Sequence, residues 1–579
     1  MDKLPLELLR AIIDYLCPED LANLQLVSQS LHTIARDNNV WRERCYQAQR
    51  EYYISLRKRL ALFPVSSEQL KWNNSLYEDP SASAATRWDP SDPEEDIDWY
   101  TEYIARHGPA AITWLQSPAV EDLVGRDRLL DVKGVGILDG RGYGVEDRAI
   151  TLLEDGSVGI WDTSPGKAVM SSRSTVLVPD PSWSTSVDAT KIDGITEGVS
   201  INSVSKRAYI AAENVINEVD LSTLESISQR TYPERIFALS QEILDYNAPL
   251  TIATRGGLHI YDPRVSLVHH QMDTSLSLEP SPSFLSTARY PTCCSTPGTA
   301  NYTELLEPGP NFVLHPPSPN AHSIVVAGRF PSVLLYDRRN LGHLQASAHS
   351  GARLCGLAAL PSIPKCYRTL GRSKPCQSIV ACGEHKGMGS LELYALSAPE
   401  TDCVVSPSPV LGNNALYRNR VSAARSKLLS VAVHGTRIVY SDSEGNIKWM
   451  ERDGKTAVRT LELNTDSLTP GRTRKQDYED TSYHVARKII PTGGNLDHDG
   501  LIIWTGSRVG RLRFSSHVDE EYTAAKEELS DQEVRQMDLE KESWRNFKQS
   551  MYMRCLLLAI ESSTEVFTGS GRVSRLWRL

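Results

Sequence analysis

One phrase recurs along the chain: an apolar strand, a turn of small residues, then a second strand ending in an aromatic residue, often followed by Asp. It runs from Ile150 to Trp161-Asp162, from Thr251 to Tyr261-Asp262 and from Ile324 to Tyr336-Asp337. Further copies run from Ile379 to Tyr394, Ile438 to Trp449, Ile502 to Phe514 and Val566 to Trp577, and a degenerate one from Ala208 to Asp220. β-branched runs bounded by Gly, Asn, Asp and Pro are hairpin patterns, and self-similarity on this scale implies repeated copies of one small β unit. Gly156, Gly257, Gly445, Gly506 and Gly571 fall in or beside the turns, where a positive φ suits glycine.

Eight units spaced about 59 residues apart exceed the roughly 40–45 residues of a WD-type repeat. They nonetheless resemble WD repeats with long inter-strand loops. The resemblance implies a mainly β fold: a closed β-propeller of eight blades, with seven as the alternative count. The aromatic residue would pack between blades while the Asp bonds nearby backbone. The final copy lacks a following outer strand, so closure would need one from the start of the repeat region, either Ile112–Leu115 or Leu129-Leu130. Closure of this kind removes exposed sheet edges.

The first fifty residues have a different texture. Pro5 suits a first helical turn, and Leu6, Leu9, Ile13 and Leu16 follow at helical steps, with Leu8 and Ile12 widening the stripe. Pro18 opens a second helix with Glu19 and Asp20 in its first turn, and Ser28 suits the N-cap of a third carrying Leu31 and Ile34. Helices this short carry more apolar surface than they can bury among themselves. Leu4-Pro5, Glu7-Leu8, Ile12, Leu16, Glu19-Asp20-Leu21, Leu24, Val27-Ser28, Leu31 and Trp41 resemble an F-box, over roughly residues 2–46. That resemblance implies docking onto the Skp-type adaptor of a cullin-based SCF ubiquitin ligase. Leu4, Pro5, Leu8, Ile12, Leu16, Leu21 and Leu24 then form the adaptor-binding or helix-packing set, two roles that the sequence does not separate.

Domain limits follow: an F-box at 1–46, a helical linker at 47–108 with an acidic Ser/Pro segment at 73–95, and the propeller at 109–579. Within the linker a helix is expected over Asp96–His107, stopped by Gly108-Pro109. Its Trp99, Tyr103 and Arg106 resemble the connector helix of F-box propeller proteins. Two insertions interrupt the propeller. Residues 275–311 are rich in Ser, Pro and Thr and read as a loop. Residues 518–552 read as an acidic helix, with Ser530 and Glu533 as a capping box.

Composition narrows the function. A net charge of −10 without basic runs argues against nucleic acid or an anionic membrane as the main ligand. The longest apolar run, Leu556–Ile560, is far too short to span a bilayer, and the N-terminal apolar residues are spaced among charges rather than gathered into a signal segment. Ten scattered cysteines with no C-x-x-C pair suit a reduced cytoplasmic or nuclear compartment. No catalytic constellation, metal-ligand spacing or cofactor motif is present. Gly140-x-Gly142-x-Gly144 lacks the following helix of a dinucleotide loop.

A binding surface is the better prospect. Arg255, Arg329, Arg508 and Arg572 fall in the turns of the repeated phrase, and guanidinium forks suit phosphate or carboxylate. Glu154-Asp155, Glu213, Glu384 and Glu444 occupy equivalent turns, so solvated turn charges are the competing account. The expectation is a non-catalytic receptor. Its F-box would hold the adaptor and through it a cullin, and its propeller would hold a protein substrate, phosphorylated or not. An interaction scaffold that does not promote ubiquitin transfer is the alternative, and a propeller enzyme a more distant one.

Overall fold

The computed structural model describes residues 9, 12–13, 15–60, 90–91, 95–121, 127–140, 147–162, 170–174, 198–241, 249–261, 302–305, 309–364, 367, 376–397, 410–420, 422–464, 484–492 and 500–514, with side chains of the long N-terminal helix described through residue 49. All belong to one compact unit.

The N-terminal helices begin where local chemistry places them. The helix Pro18–Leu24 has its proline in the first turn, and the Cys17 side chain accepts from the Asp20 N–H. The helix Gln29–Ala35 is capped by Ser28, whose hydroxyl accepts the Leu31 N–H at 3.3 Å. Trp41 and Cys45 lie on a long helix, Asn38–Leu60. The connector helix Trp99–His107 is capped by Asp98 and ends at Gly108. Ile13, Leu21, Trp41, Cys45 and Tyr46 share one core with Trp99, and Tyr100 and Tyr103 pack against it. The connector helix is therefore part of the helical domain's own core.

Among the described residues the β region contains seven antiparallel blades, six of four strands and one of five, rather than the eight expected. Their strands span 132–173, 199–231, 236–304, 310–349, 353–419, 428–462 and, for the seventh, 488–514 plus Ala110–Trp114. We number these blades 1 to 7. At five of the seven junctions the first strands of neighbouring blades contact one another, which places these strands innermost. Each repeated phrase among the described residues supplies the second and third strands of a blade. The eighth phrase, Val566–Trp577, lies outside the described residues, as do residues 518–552, 275–301 and Asp262. Residues Tyr302–Glu304, expected within a loop, instead form the outer strand of blade 3.

No sheet closes on itself. The last blade is completed by an early strand, in register from Ala110 opposite Phe514 to Trp114 opposite Gly510. Of the two segments expected to supply it, 112–115 lies at this place, but its partner is the Ile502–Phe514 phrase. A Cβ on Gly510 would stand 3.0 Å from the Trp114 ring, so glycine permits the approach. Seven buried apolar clusters each bridge two consecutive blades. The cluster of Val132, Ala149 and Trp161 with Ile502, Trp504 and Val509 joins the first blade to the last. There the Trp504 indole donates to the Val132 carbonyl at 2.8 Å.

The aromatic ends of the phrases pack between blades as expected: Trp161, Tyr336, Tyr394 and Trp449 are fully buried, though they sit on third strands. Asp337 accepts the Arg339 N–H at 2.9 Å, the local bond expected of the Asp. Gly156, Gly445 and Gly506 have φ of +80°, +79° and +103°, whereas Gly257 is needed because a Cβ would meet the Tyr302 ring at 2.5 Å.

One ionic network fastens the connector helix to blade 6. Arg106 donates to Glu102 at 2.8 Å, to both carboxylate oxygens of Glu451 at 2.6 and 3.0 Å, and to Thr436 at 2.7 Å. Arg437 pairs with Glu102 at 2.9 Å. All four charged groups are buried. Burial opposes ionisation of Glu102, yet Arg437 and Arg106 hold its carboxyl far below the ordinary range. Arg106→Ala removes the shared cation, strands the buried Glu451 carboxylate and leaves Glu102 to Arg437 and Thr436. It should cost about 3–5 kcal/mol, read as a lowered midpoint in urea with unchanged slope.

A second test uses pH. His315 is buried between blades 3 and 4, its Nε2 2.9 Å from the Thr251 hydroxyl, and burial with Arg338 nearby depresses its pKa to about 3. Burial lowers that of half-buried His259 to about 4. Both stay neutral in the folded protein while the unfolded chain takes up protons below about pH 6.5. Stability from these groups is therefore complete above that pH and falls as pH drops toward 4. The melting temperature should decline between pH 7 and pH 5, and His315→Gln should flatten the decline. An unchanged slope in that variant would remove His315 as its source.

Candidate functional site: two opposed interaction surfaces

The helical domain divides the expected adaptor set. Leu21 is fully buried, and Leu16 and Leu24 pack against the same core, so these three hold the helices together. Ile12 is exposed. Leu4, Pro5 and Leu8 lie outside the described residues. Among the described residues of this domain the most exposed large apolar side chains are Tyr15 at 90%, Leu26 at 76% and Val27 at 69%. None of the three was in the expected set. The available signal was position: Leu26-Val27 falls between the end of one helix and the Ser28 cap of the next, where an apolar pair gains nothing from either stripe.

The second surface follows from strand order. In a four-stranded meander the turn between second and third strands shares one end with the approach to the first strand. Arg255 and Arg329 occupy such turns in neighbouring blades 3 and 4, and both are exposed. Gly309, with φ of +92°, links their backbones: its N–H donates to the Arg255 carbonyl and its carbonyl accepts the Arg329 N–H, each at 3.0 Å. Arg508 lies in the corresponding turn of blade 7, three blades from either, with its guanidinium 5.7 Å from the centre of the Trp114 ring. Arg572 lies outside the described residues. Two of the four arginines are thus brought together and one is held apart.

Sequence reasoning missed further cations at this end. Arg235, Arg353, Arg425 and Arg487 are exposed just before or at the start of inner strands. Their signal was an Arg at the foot of a buried strand in four of the seven blades. The competing carboxylates are partly committed. Glu154 is buried and bonded to Arg128 at 2.7 Å, Glu213 pairs with Arg235 at 3.0 Å, and Glu234 accepts the Gly256 N–H at 2.7 Å. Glu384 and Glu444 remain at the same end.

The connector helix occupies the other end. Its network engages Thr436, in the turn between first and second strands of blade 6, and Glu451, where the third strand turns to the fourth. Arg452 beside it takes Glu95 with both guanidinium arms at 2.6 and 2.7 Å. The helical domain and the arginine-bearing turns therefore sit at opposite ends of the blade strands. Among the described residues no group of three or more His, Cys, Asp or Glu is gathered as a metal site.

Comparison with known proteins agrees with the N-terminal part of this picture. Residues 1–47 match the F-box-like family model. Among solved structures, the WD40 β-propeller domain of Doa1 is similar at 9% identity and a TM-score of 0.39, covering 70% of this chain and 98% of that one. No curated protein matches. The chain carries an F-box-like domain at residues 1–47 followed by a seven-bladed β-propeller, a pairing suited to protein interaction.

Packing and docking roles separate by stability. Leu21→Ala should cost about 2–5 kcal/mol, the range for a buried leucine. Leu26→Asp should change stability by no more than about 0.5 kcal/mol, because the side chain is solvated already. Thermal melts of the two variants check the division.

Proposed function

We propose that this protein is a substrate-recognition subunit of an SCF-type ubiquitin ligase. The F-box-like domain would bind a Skp-type adaptor, and through it a cullin, while the propeller binds a protein substrate. The observation that carries this reading is the F-box-like match at residues 1–47 on a domain that leaves Ile12, Tyr15, Leu26 and Val27 exposed. Exposed apolar side chains on a small domain suit a protein partner. Leu4, Pro5 and Leu8 complete the proposed adaptor surface, with Leu16, Leu21 and Leu24 supporting it from beneath. The chain would perform no chemistry: holding a substrate near a charged conjugating enzyme raises its effective concentration. Such a role belongs in the cytoplasm or nucleus.

The substrate would engage the arginine-bearing end. Arg255 and Arg329 are its first contacts, able to take a phosphate or carboxylate as paired forks. Arg508 and Arg572 are further candidates. The anchoring of the connector helix at the opposite end supports the assignment, since adaptor and substrate would not compete for the same surface.

The test is affinity purification of the intact protein, scored for Skp-type adaptor and cullin, beside a Leu26→Asp/Val27→Asp variant and an Arg255→Glu/Arg329→Glu variant. The first variant should lose adaptor and cullin but keep propeller-bound proteins. The second should keep adaptor and lose those proteins. Recovery of neither adaptor nor cullin by the intact protein would overturn the receptor reading. Adaptor recovered without cullin would favour a scaffold instead.

A further inference from the structure

The innermost strand of blade 5, Arg353–Leu360, carries one residue too many for its partner strand Cys376–His385. Leu354 stands opposite Gly383 and Gly356 opposite Cys382, leaving Cys355 as the extra residue of a β-bulge. Side chains along this strand show which way it faces. Leu354 and Leu357 pack toward blade 4, whereas Ala358 and Leu360 share a cluster with Cys382 on the blade 6 side. Alternation from Leu354 puts Cys355 on the blade 6 side, and the bulge keeps Gly356 there too. Two cysteines of adjacent strands therefore face the same way, one position apart in register.

Glycine opens the space between them. A Cβ on Gly356 would lie 3.1 Å from the Cys382 sulfur, so any other residue there would press on that thiol. Opposed residues on neighbouring antiparallel strands have Cα atoms about 4.5–5.5 Å apart, inside the span of a disulfide. Both cysteines are reduced thiols; Cys355 is half-exposed and Cys382 buried.

We propose that Cys355 and Cys382 form a peroxide-responsive dithiol site, in which half-exposed Cys355 is oxidised first and buried Cys382 closes a cross-strand disulfide. In the first step the Cys355 thiolate attacks hydrogen peroxide. A sulfur–oxygen bond forms, the oxygen–oxygen bond breaks, and hydroxide leaves to be protonated to water. Cys355 becomes a sulfenic acid. In the second step the Cys382 sulfur attacks the Cys355 sulfur, forming the sulfur–sulfur bond, and the sulfenic oxygen leaves as water with the Cys382 proton. One peroxide is reduced to two waters and two thiols are oxidised to one disulfide. Burial, with Cys355 beside it, raises the Cys382 thiol well above its ordinary pKa, with Lys427 opposing, which slows its attack. Transient disulfides of this kind suit a reducing compartment, where a permanent one would not persist.

The bridge would pin the bulge two residues from exposed Arg353. Its consequence for substrate binding rests on the arginine-bearing end being the substrate surface, but its chemistry does not.

The experiment treats the full-length protein with hydrogen peroxide and maps peptides without reductant. Mapping is needed because the chain has ten cysteines. The expected product is a 355–382 linked peptide about 2 Da lighter than the two reduced peptides, lost on adding dithiothreitol. Cys382→Ser should leave Cys355 as a sulfenic acid that dimedone traps, and Cys355→Ser should leave Cys382 unmodified. Should Cys382→Ser fail to fold, the native protein and the Cys355→Ser variant carry the test. Cys355 in the native protein remaining a thiol, or passing to sulfinic acid without a linked peptide, would overturn the proposal. Loss of substrate binding without the linked peptide would count against the dithiol and leave the receptor role standing.

Discussion

The arrangement of this molecule depends on a single buried guanidinium. Arg106 faces Glu102 on its own helix and Glu451 on blade 6, and Arg437 neutralises Glu102 from the other side. Burying four charges is costly, and apolar residues of like volume often serve stability as well or better. What charges add is direction. A two-armed fork reads one carboxylate in one plane, so the connector helix can meet blade 6 in one orientation, whereas leucines would tolerate sliding. Gln49 of the long helix donates to the Ala457 carbonyl, and Arg459 to that of Ala105, extending the same seam.

The connector helix is thereby shared. One face contributes Trp99, Tyr100 and Tyr103 to the helical core, and the other presents Glu102 and Arg106 to the propeller. A boundary drawn between an N-terminal domain and a linker at residue 46 cuts through one hydrophobic cluster. The helical domain and the blades belong to one compact unit, joined through the packed and hydrogen-bonded side chains of the connector helix.

Local chemistry was legible from sequence, and distant chemistry was not. Pro18 and Ser28 announce helix starts because a cap needs only its next three residues. The repeated phrase is legible because its two strands are central in their sheets, apolar on both faces and joined by a short turn. The outer strands lack that mark. Met170–Arg173 is largely exposed, and Tyr302–Glu304 follows a Ser/Pro-rich stretch, so neither advertises a strand. Each of the seven described phrases gains a first and an outer strand that the phrase itself does not announce. Partners such as Arg106 and Glu451, 345 residues apart, leave no local trace. Likewise the family resemblance that grouped Leu21 with Ile12 could not say that one would be buried and the other exposed, because only tertiary packing decides which side chains are covered.

The strand Ala110–Trp114 has a temporal meaning as well as a spatial one. It leaves the ribosome early, yet its partner Val509–Phe514 is made about 400 residues later. At about 5–20 residues per second, the early strand waits roughly 20–80 s for its sheet. Through that interval blades 1 to 6 can form in order, each burying a face against its predecessor, while the ring stays open between first and last. Glu451, the acceptor for Arg106, is also made late, so until then the connector helix is held by the aromatic core it shares with the N-terminal helices and by Asn38, which bonds the Ile97 carbonyl and the Trp99 N–H. A nascent chain would thus present its N-terminal helices to partners well before its propeller is complete, and commitment to a chaperone or an assembly partner can be settled during synthesis.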